Sequence, residues 1–119
     1  MRESRRDTSF VPTVATPTLD QIFEVLSHRR RRYVLYYLRH VSDGVASIED
    51  IATHVAQFEC TSENADDHQA SILTSLQHVH LPKLEEAGVV EYDERSEMVR
   101  YWQQPTLDEW VEHAEHKEL

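Results

Sequence analysis

Eight histidines, one cysteine and a run of four arginines are the residues of this 119-residue chain whose types could do chemistry. His78 and His80 stand two apart, a spacing that on a helix sends the rings to different faces and keeps them off a shared ion. His113 and His116, three apart beside Glu112, could share one. Yet no C-x-x-C, no H-E-x-x-H and no second cysteine completes a tetrahedral set, so no metal site is expected. Cys60 has no flanking base and follows Glu59, whose charge would raise the thiol pKa, which argues against a nucleophile. The only glycines are Gly44 and Gly88, too few for a phosphate cradle, and no G-x-S-x-G elbow or carboxylate pair stands out. These residues point to a binding module that is not an enzyme, with no catalytic residue and no cofactor.

The arginines offer a different chemistry, contact with an anion. Residues 28–39 carry Arg29, Arg30, Arg31, Arg32 and Arg39 with no acid, a local +5, whereas residues 40–82 carry seven acids and no lysine or arginine, a local −7. The run opens a helix, where the macrodipole favours carboxylates and disfavours cations by about 0.3–1 kcal/mol each. A placement that local energetics oppose implies either an anionic partner or neighbouring acids that neutralise the run.

The elements that must position these residues follow from periodicity. Residues 1–17 lack it and read as a disordered tail. Thr18 and Gln21 form a capping box ahead of Ile22, Phe23, Val25 and Leu26. Ser27 is placed to cap a second helix over 28–41, with Val34, Leu35, Leu38 and Val41 at helical spacing. Asp43-Gly44 turns the chain into one short β-bridge at Val45-Ala46. Ser47 and Asp50 then cap a third helix with Ile48, Ile51, Ala52, Val55 and Phe58 on one stripe. After an acidic loop from Glu59 to Asp67, helical spacing resumes to Ala87, with a kink or break expected near 78–81 because Pro82 lies inside it, and Gly88 as the C-cap. The runs 89–92 and 98–101 read as a hairpin. A T-x-x-E box at Thr106 and Glu109 opens the last helix, whose stripe is Leu107, Trp110, Val111 and Ala114. The expected class is α+β, mainly α: a domain over 18–104 and a C-terminal helix over 105–119.

Composition bounds the setting. Twenty-two acids face twelve cations, of which only Lys83 and Lys117 are lysines, for a net charge of −10. Such a chain suits molar salt, where screening over about 3 Å removes self-repulsion, so a halophilic cytoplasm is expected. A single cysteine, no apolar leader and no run near roughly 18 apolar residues fit a cytoplasmic location.

The stretch HLPKLEEAGVVEYD (80–93) resembles the end of the recognition helix and start of the wing in the winged helix-turn-helix superfamily. With LDQIFEVLSHRRRRYVLYYLRH (19–40) and SIEDIATHV (47–55), the chain is similar to a family of short halophilic-archaeal winged-helix domains of largely unassigned function, over roughly residues 18–102. The resemblance implies a homodimeric transcriptional regulator that binds double-stranded DNA, with a recognition helix at 68–81, a wing at 89–101 and a dimerisation helix at 106–117. On that basis Gln69, Thr74, Ser75, Gln77 and His78 are the candidates for base edges. Arg29, Arg30, Arg31, Arg32, Lys83, Arg95 and Arg100 are the candidates for phosphates, and Leu107, Trp110, Val111 and Ala114 for the dimer interface. The alternative is a protein–protein adaptor on the same scaffold, its arginine run docked on an acidic partner.

Overall fold

The computed structural model describes residues 16–59 and 65–119. The tail expected over 1–17 therefore lies outside the described residues up to position 15, as do Cys60 and the loop 60–64. Among the described residues six α-helices, one π-helical turn and three strands follow in order: α1 Leu19–Leu26, α2 Arg29–His40, β1 Val45–Ser47, α3 Ile48–Glu59, α4 Ala65–Ser75, a π-helical turn Leu76–His80, α5 Leu81–Glu86, β2 Val90–Asp93, β3 Met98–Tyr101 and α6 Pro105–Glu118. The fold is α+β and mostly helical.

Local capping explains several boundaries. Both halves of the Thr18–Gln21 box are made, Gln21 N–H to Thr18 Oγ1 at 3.1 Å and Thr18 N–H to Gln21 Oε1 at 2.8 Å, and Ser47 Oγ accepts from Asp50 N–H at 3.0 Å. Two expected caps are corrected. Ser27 ends α1, its hydroxyl donating to Glu24 O, and it is His28 Nδ1 that caps α2, accepting from Arg30 N–H at 3.1 Å. Thr106 lies inside α6, because Pro105 already supplies a first helical residue with a fixed φ and no amide hydrogen to satisfy.

Pro82 shapes the long helical stretch as its sequence position implied, though by insertion rather than a break. Leu81 N–H reaches five residues back to Leu76 O, a π turn that absorbs one extra residue just before the proline. Ile72, Leu76, Leu81 and Leu84 all stay fully buried as a result, with the five-residue step between Leu76 and Leu81 restoring the phase of the apolar stripe. Gly88, at φ +75°, ends α5 in a Schellman motif, with Gly88 N–H to Glu85 O and Val89 N–H to Leu84 O both at 2.9 Å.

The sheet is antiparallel in the order β1-β3-β2. Ala46 pairs Val99, and Tyr92 pairs Val99 from the other side. Sheet residues Ala46, Val90, Val99 and Tyr101 join Ile22 and Val25 of α1, Val34, Leu35 and Leu38 of α2, and Ile48, Ile51 and Val55 of α3 in one core. The C-terminal helix is part of that core. Leu107 and Val111 have no exposure, which takes these two out of the dimer interface that the sequence suggested, and Ala114 is partly buried against the cluster. Their apolar face packs on the chain's own α1 and α2. Trp110 alone of the four is exposed. No helix among the described residues is long and apolar enough to cross a membrane.

Candidate nucleic-acid interface

The arginine run is bound internally over three of its four positions. Arg31, buried at 6 % exposure, donates to Val25 O at 3.0 Å, Glu24 O at 2.8 Å and Ser27 Oγ at 3.2 Å. Arg32 donates to Leu26 O at 2.6 Å and, through two nitrogens, to both oxygens of Glu118 at 2.8 Å. These two side chains satisfy the carbonyls left over at the last turn of α1, where a helix dipole is negative. Arginines that look misplaced at the start of α2 are well placed as the C-terminal cap of α1. Arg30 turns the other way, making a two-point contact with Glu59 at 2.6 and 3.1 Å and donating to Ser75 Oγ at 2.9 Å.

Burial pushes the Glu59 carboxyl up, but Arg30 and then His68, whose Nε2 lies 2.9 Å from Oε1, outweigh it and hold the carboxyl below its usual range. The hydrogen bond from Arg32 does the same for Glu118, which also accepts from the Tyr36 hydroxyl. Arg39 is likewise engaged, with Asp108 at 3.0 Å and Glu115 at 3.3 Å. Arg30, Arg31 and Arg32 are thus removed from the phosphate-contact set. Arg29 stays exposed.

The stretch α4–π–α5 presents the face expected to read bases, with two changes of membership. Gln69 donates to Thr53 Oγ1 at 2.9 Å, tying α4 to α3. Ser75 Oγ accepts from Arg30 and donates to Ile72 O. Both are occupied inside the fold. Ser71, Thr74, Gln77 and His78 are exposed, and His78 and Lys83 line one shallow depression with Val79, Pro82 and the two acids that follow, Glu85 and Glu86. Sequence reasoning treated 40–82 as one acidic block and so missed that all seven of its acids lie at or before Asp67. Residues 68–84 hold none. Counting acids in shorter windows would have found it.

The hairpin carries Arg95 and Arg100, both exposed. Asp93 shapes its tip, Oδ1 accepting from Arg95 N–H and Oδ2 from the Ser96 hydroxyl, and Glu97 closes it at φ 62°. The Arg100 guanidinium stands 5.5 Å from the centre of the Trp102 ring and opposite Glu91 in the strand register. The outer edge of the sheet is protected, since Tyr92 N–H donates to Glu85 Oε2 at 3.0 Å.

Behind the exposed face sits His80, 3 % exposed, with Nδ1 lacking a partner and its ring 4.4 Å from that of His28. Burial, then the charges of His28, Arg31 and Arg30, push its pKa down to about 4. No group of three or more His, Cys, Asp or Glu among the described residues could hold a metal ion, and His78 and His80 fall on opposite sides of the helix surface as their spacing required.

A family model described as a domain of unknown function, DUF7344, matches residues 23–100, from the middle of α1 to the end of the hairpin. No curated protein and no solved structure matches the chain.

Proposed function

This chain belongs to the DUF7344 family of domains of unknown function, and on that premise we propose that it is a DNA-binding transcriptional regulator built as a winged helix-turn-helix. In this reading α2, β1, α3, the α4–π–α5 stretch and the β2–β3 hairpin are the helix, strand, helix, recognition helix and wing of that architecture. The β1-β3-β2 order of the sheet supports the assignment. The recognition helix lies in the major groove with Ser71, Thr74, Gln77 and His78 toward base edges, and Lys83, Arg95, Arg100 and Arg29 reach phosphates.

The observation that carries this reading is the acid-free stretch 68–84 in a chain where 22 of 119 residues are acidic. Its exposed positions Ser71, Thr74, Gln77 and His78 bring no like charge to a polyanion laid against them, which a DNA-binding face needs. The adaptor alternative rested on the arginine run as a docking surface, and Arg30, Arg31 and Arg32 are spent internally.

A random-sequence duplex pool selected on the full chain tests the proposal. The expected outcome is recovery of a preferred duplex, whose gel shift is abolished by Thr74→Asp while the circular dichroism melt of the variant stays within a few degrees of wild type. If the folded wild-type chain retains no duplex at low or high salt, the proposal fails.

A further inference from the structure

Resting on that reading, we infer that the site recognises duplex DNA chiefly through uncharged hydrogen bonds and methyl contacts at A·T pairs, so that its affinity falls only gently as salt rises. The charge inventory leads there. Arg30, Arg32 and Arg39 are paired with Glu59, Glu118, Asp108 and Glu115, and Arg31 is buried on backbone carbonyls. Among the described residues, four of the candidate phosphate contacts stay exposed: Arg29, Lys83, Arg95 and Arg100. Arg100 is further engaged, lying over Trp102 and across the ladder from Glu91.

The face between them has hydrogen-bonding groups without net charge. A glutamine amide such as that of Gln77 matches adenine at two points in the major groove, and a threonine presents a methyl to the thymine methyl and a hydroxyl to either base. Thr74 and Gln77 are both exposed on this face, three residues apart, and so share one side of the helix. Lys83 shares a shallow depression with His78 and is the single lysine or arginine of the stretch, with Glu85 and Glu86 following it at the same depression.

Each neutralised phosphate contributes a slope of about −0.9 in the plot of log affinity against log salt. With Arg2, Arg5 and Arg6 of the N-terminal stretch replaced by Gln, these four cations set a limit of about −3.6 per bound chain, so a fourfold rise in salt weakens binding by about 10²-fold at most. A surface using the whole arginine run as well would lose far more.

The measurement is fluorescence anisotropy of the full chain carrying Arg2→Gln, Arg5→Gln and Arg6→Gln on a fluorescein-labelled duplex recovered from the random pool, from about 0.05 to 0.2 M KCl, with stoichiometry fixed by titration. The expected slope is no steeper than about −4 per bound chain. Lys83→Gln makes it shallower by about 1, whereas Thr74→Ala lowers affinity about tenfold at every salt without changing it. Two results overturn the inference while leaving DNA binding in place: a slope steeper than about −4 for the chain without Arg2, Arg5 and Arg6, or Thr74→Ala added to it binding as tightly as its parent. Absence of binding at every salt removes the DNA reading and this inference together.

Discussion

His80 has 3 % exposure, an Nδ1 without a partner, and a pKa brought down to about 4 by burial, His28, Arg31 and Arg30, with Glu59 opposing. In the unfolded chain the same imidazole titrates near 6.5. Between those values the unfolded state binds more protons than the folded one, so stability rises with pH. It is fully present above about 6.5 and drains away as pH falls toward 4. His28 adds to the effect in the same direction, its pKa lowered by burial and by the adjoining arginines. Its Nδ1 must be unprotonated to accept from Arg30 N–H and cap α2. The carboxylates of Glu59, Asp108 and Glu118 act in a lower window, because each is held below its usual range and stays ionised until more acid pH. Urea unfolding should therefore show a loss on the order of 2 kcal/mol between about pH 7 and pH 5. His80→Leu, which keeps the volume and removes the base, should lose markedly less over that interval. An equal loss in the variant would clear His80 as the proton acceptor.

At the scale of elements, the arginines of α2 carry the sharpest consequence. Arg31 makes three hydrogen bonds to the end of α1, to the Val25 carbonyl, to the Glu24 carbonyl that it shares with Ser27, and to the Ser27 hydroxyl. Arg31→Gln should therefore destabilise the fold by about 2–3 kcal/mol, whereas Arg29→Gln on the exposed side should stay within about 0.5 kcal/mol. Chemical denaturation of the two variants side by side checks it, and equal, small effects would show that the capping contributes nothing. This role was out of reach of the sequence, and the reason is distance along the chain. Helix periodicity, the Thr18 and Ser47 caps, the hairpin and the Gly88 stop are local signals, and each is found where the residues placed it. Arg30 meets Glu59 29 residues on, and Arg32 meets Glu118 86 residues on, pairings that only the packing of α2 against α3 and α6 creates. The same holds within the candidate interface. Thr74, Gln77 and His78 were legible as exposed polar positions of a helix, but nothing local showed that Gln69 would bond Thr53, or Ser75 bond Arg30. Pro82 announced a disturbance near 78–81, yet the choice of a π turn over a kink depended on keeping both Leu76 and Leu81 in the core.

For the molecule as a whole, the C-terminal helix closes the core and also leaves an edge uncovered. Its inner face is Leu107 and Val111 at no exposure, held by Arg39 to Asp108 and by Arg32 to Glu118. Its outer face shows Trp110, packed edge-on against Phe23 of α1 with ring centres 5.2 Å apart, and Leu19 is exposed one turn before Phe23. The two faces predict different failures. Leu107→Ala should cost about 3 kcal/mol through lost burial and the cavity it leaves, at every protein concentration, and ending the chain before Pro105 should expose the core and abolish cooperative unfolding. If two copies associate, as the resemblance to homodimeric regulators implies, the edge of Leu19, Phe23 and Trp110 is a surface open to it. Three apolar side chains supply only part of the roughly 800 Å² that a stable interface buries per partner, so the association should be weak and sensitive to a single ring. Replacing Phe23 and Trp110 together by Ser should shift sedimentation to the monomer while leaving the melting temperature within a few degrees. A wild-type chain that sediments as a monomer at every concentration, or a double variant that unfolds rather than dissociates, would place the edge among ordinary surface and return the burden of DNA affinity to one recognition helix.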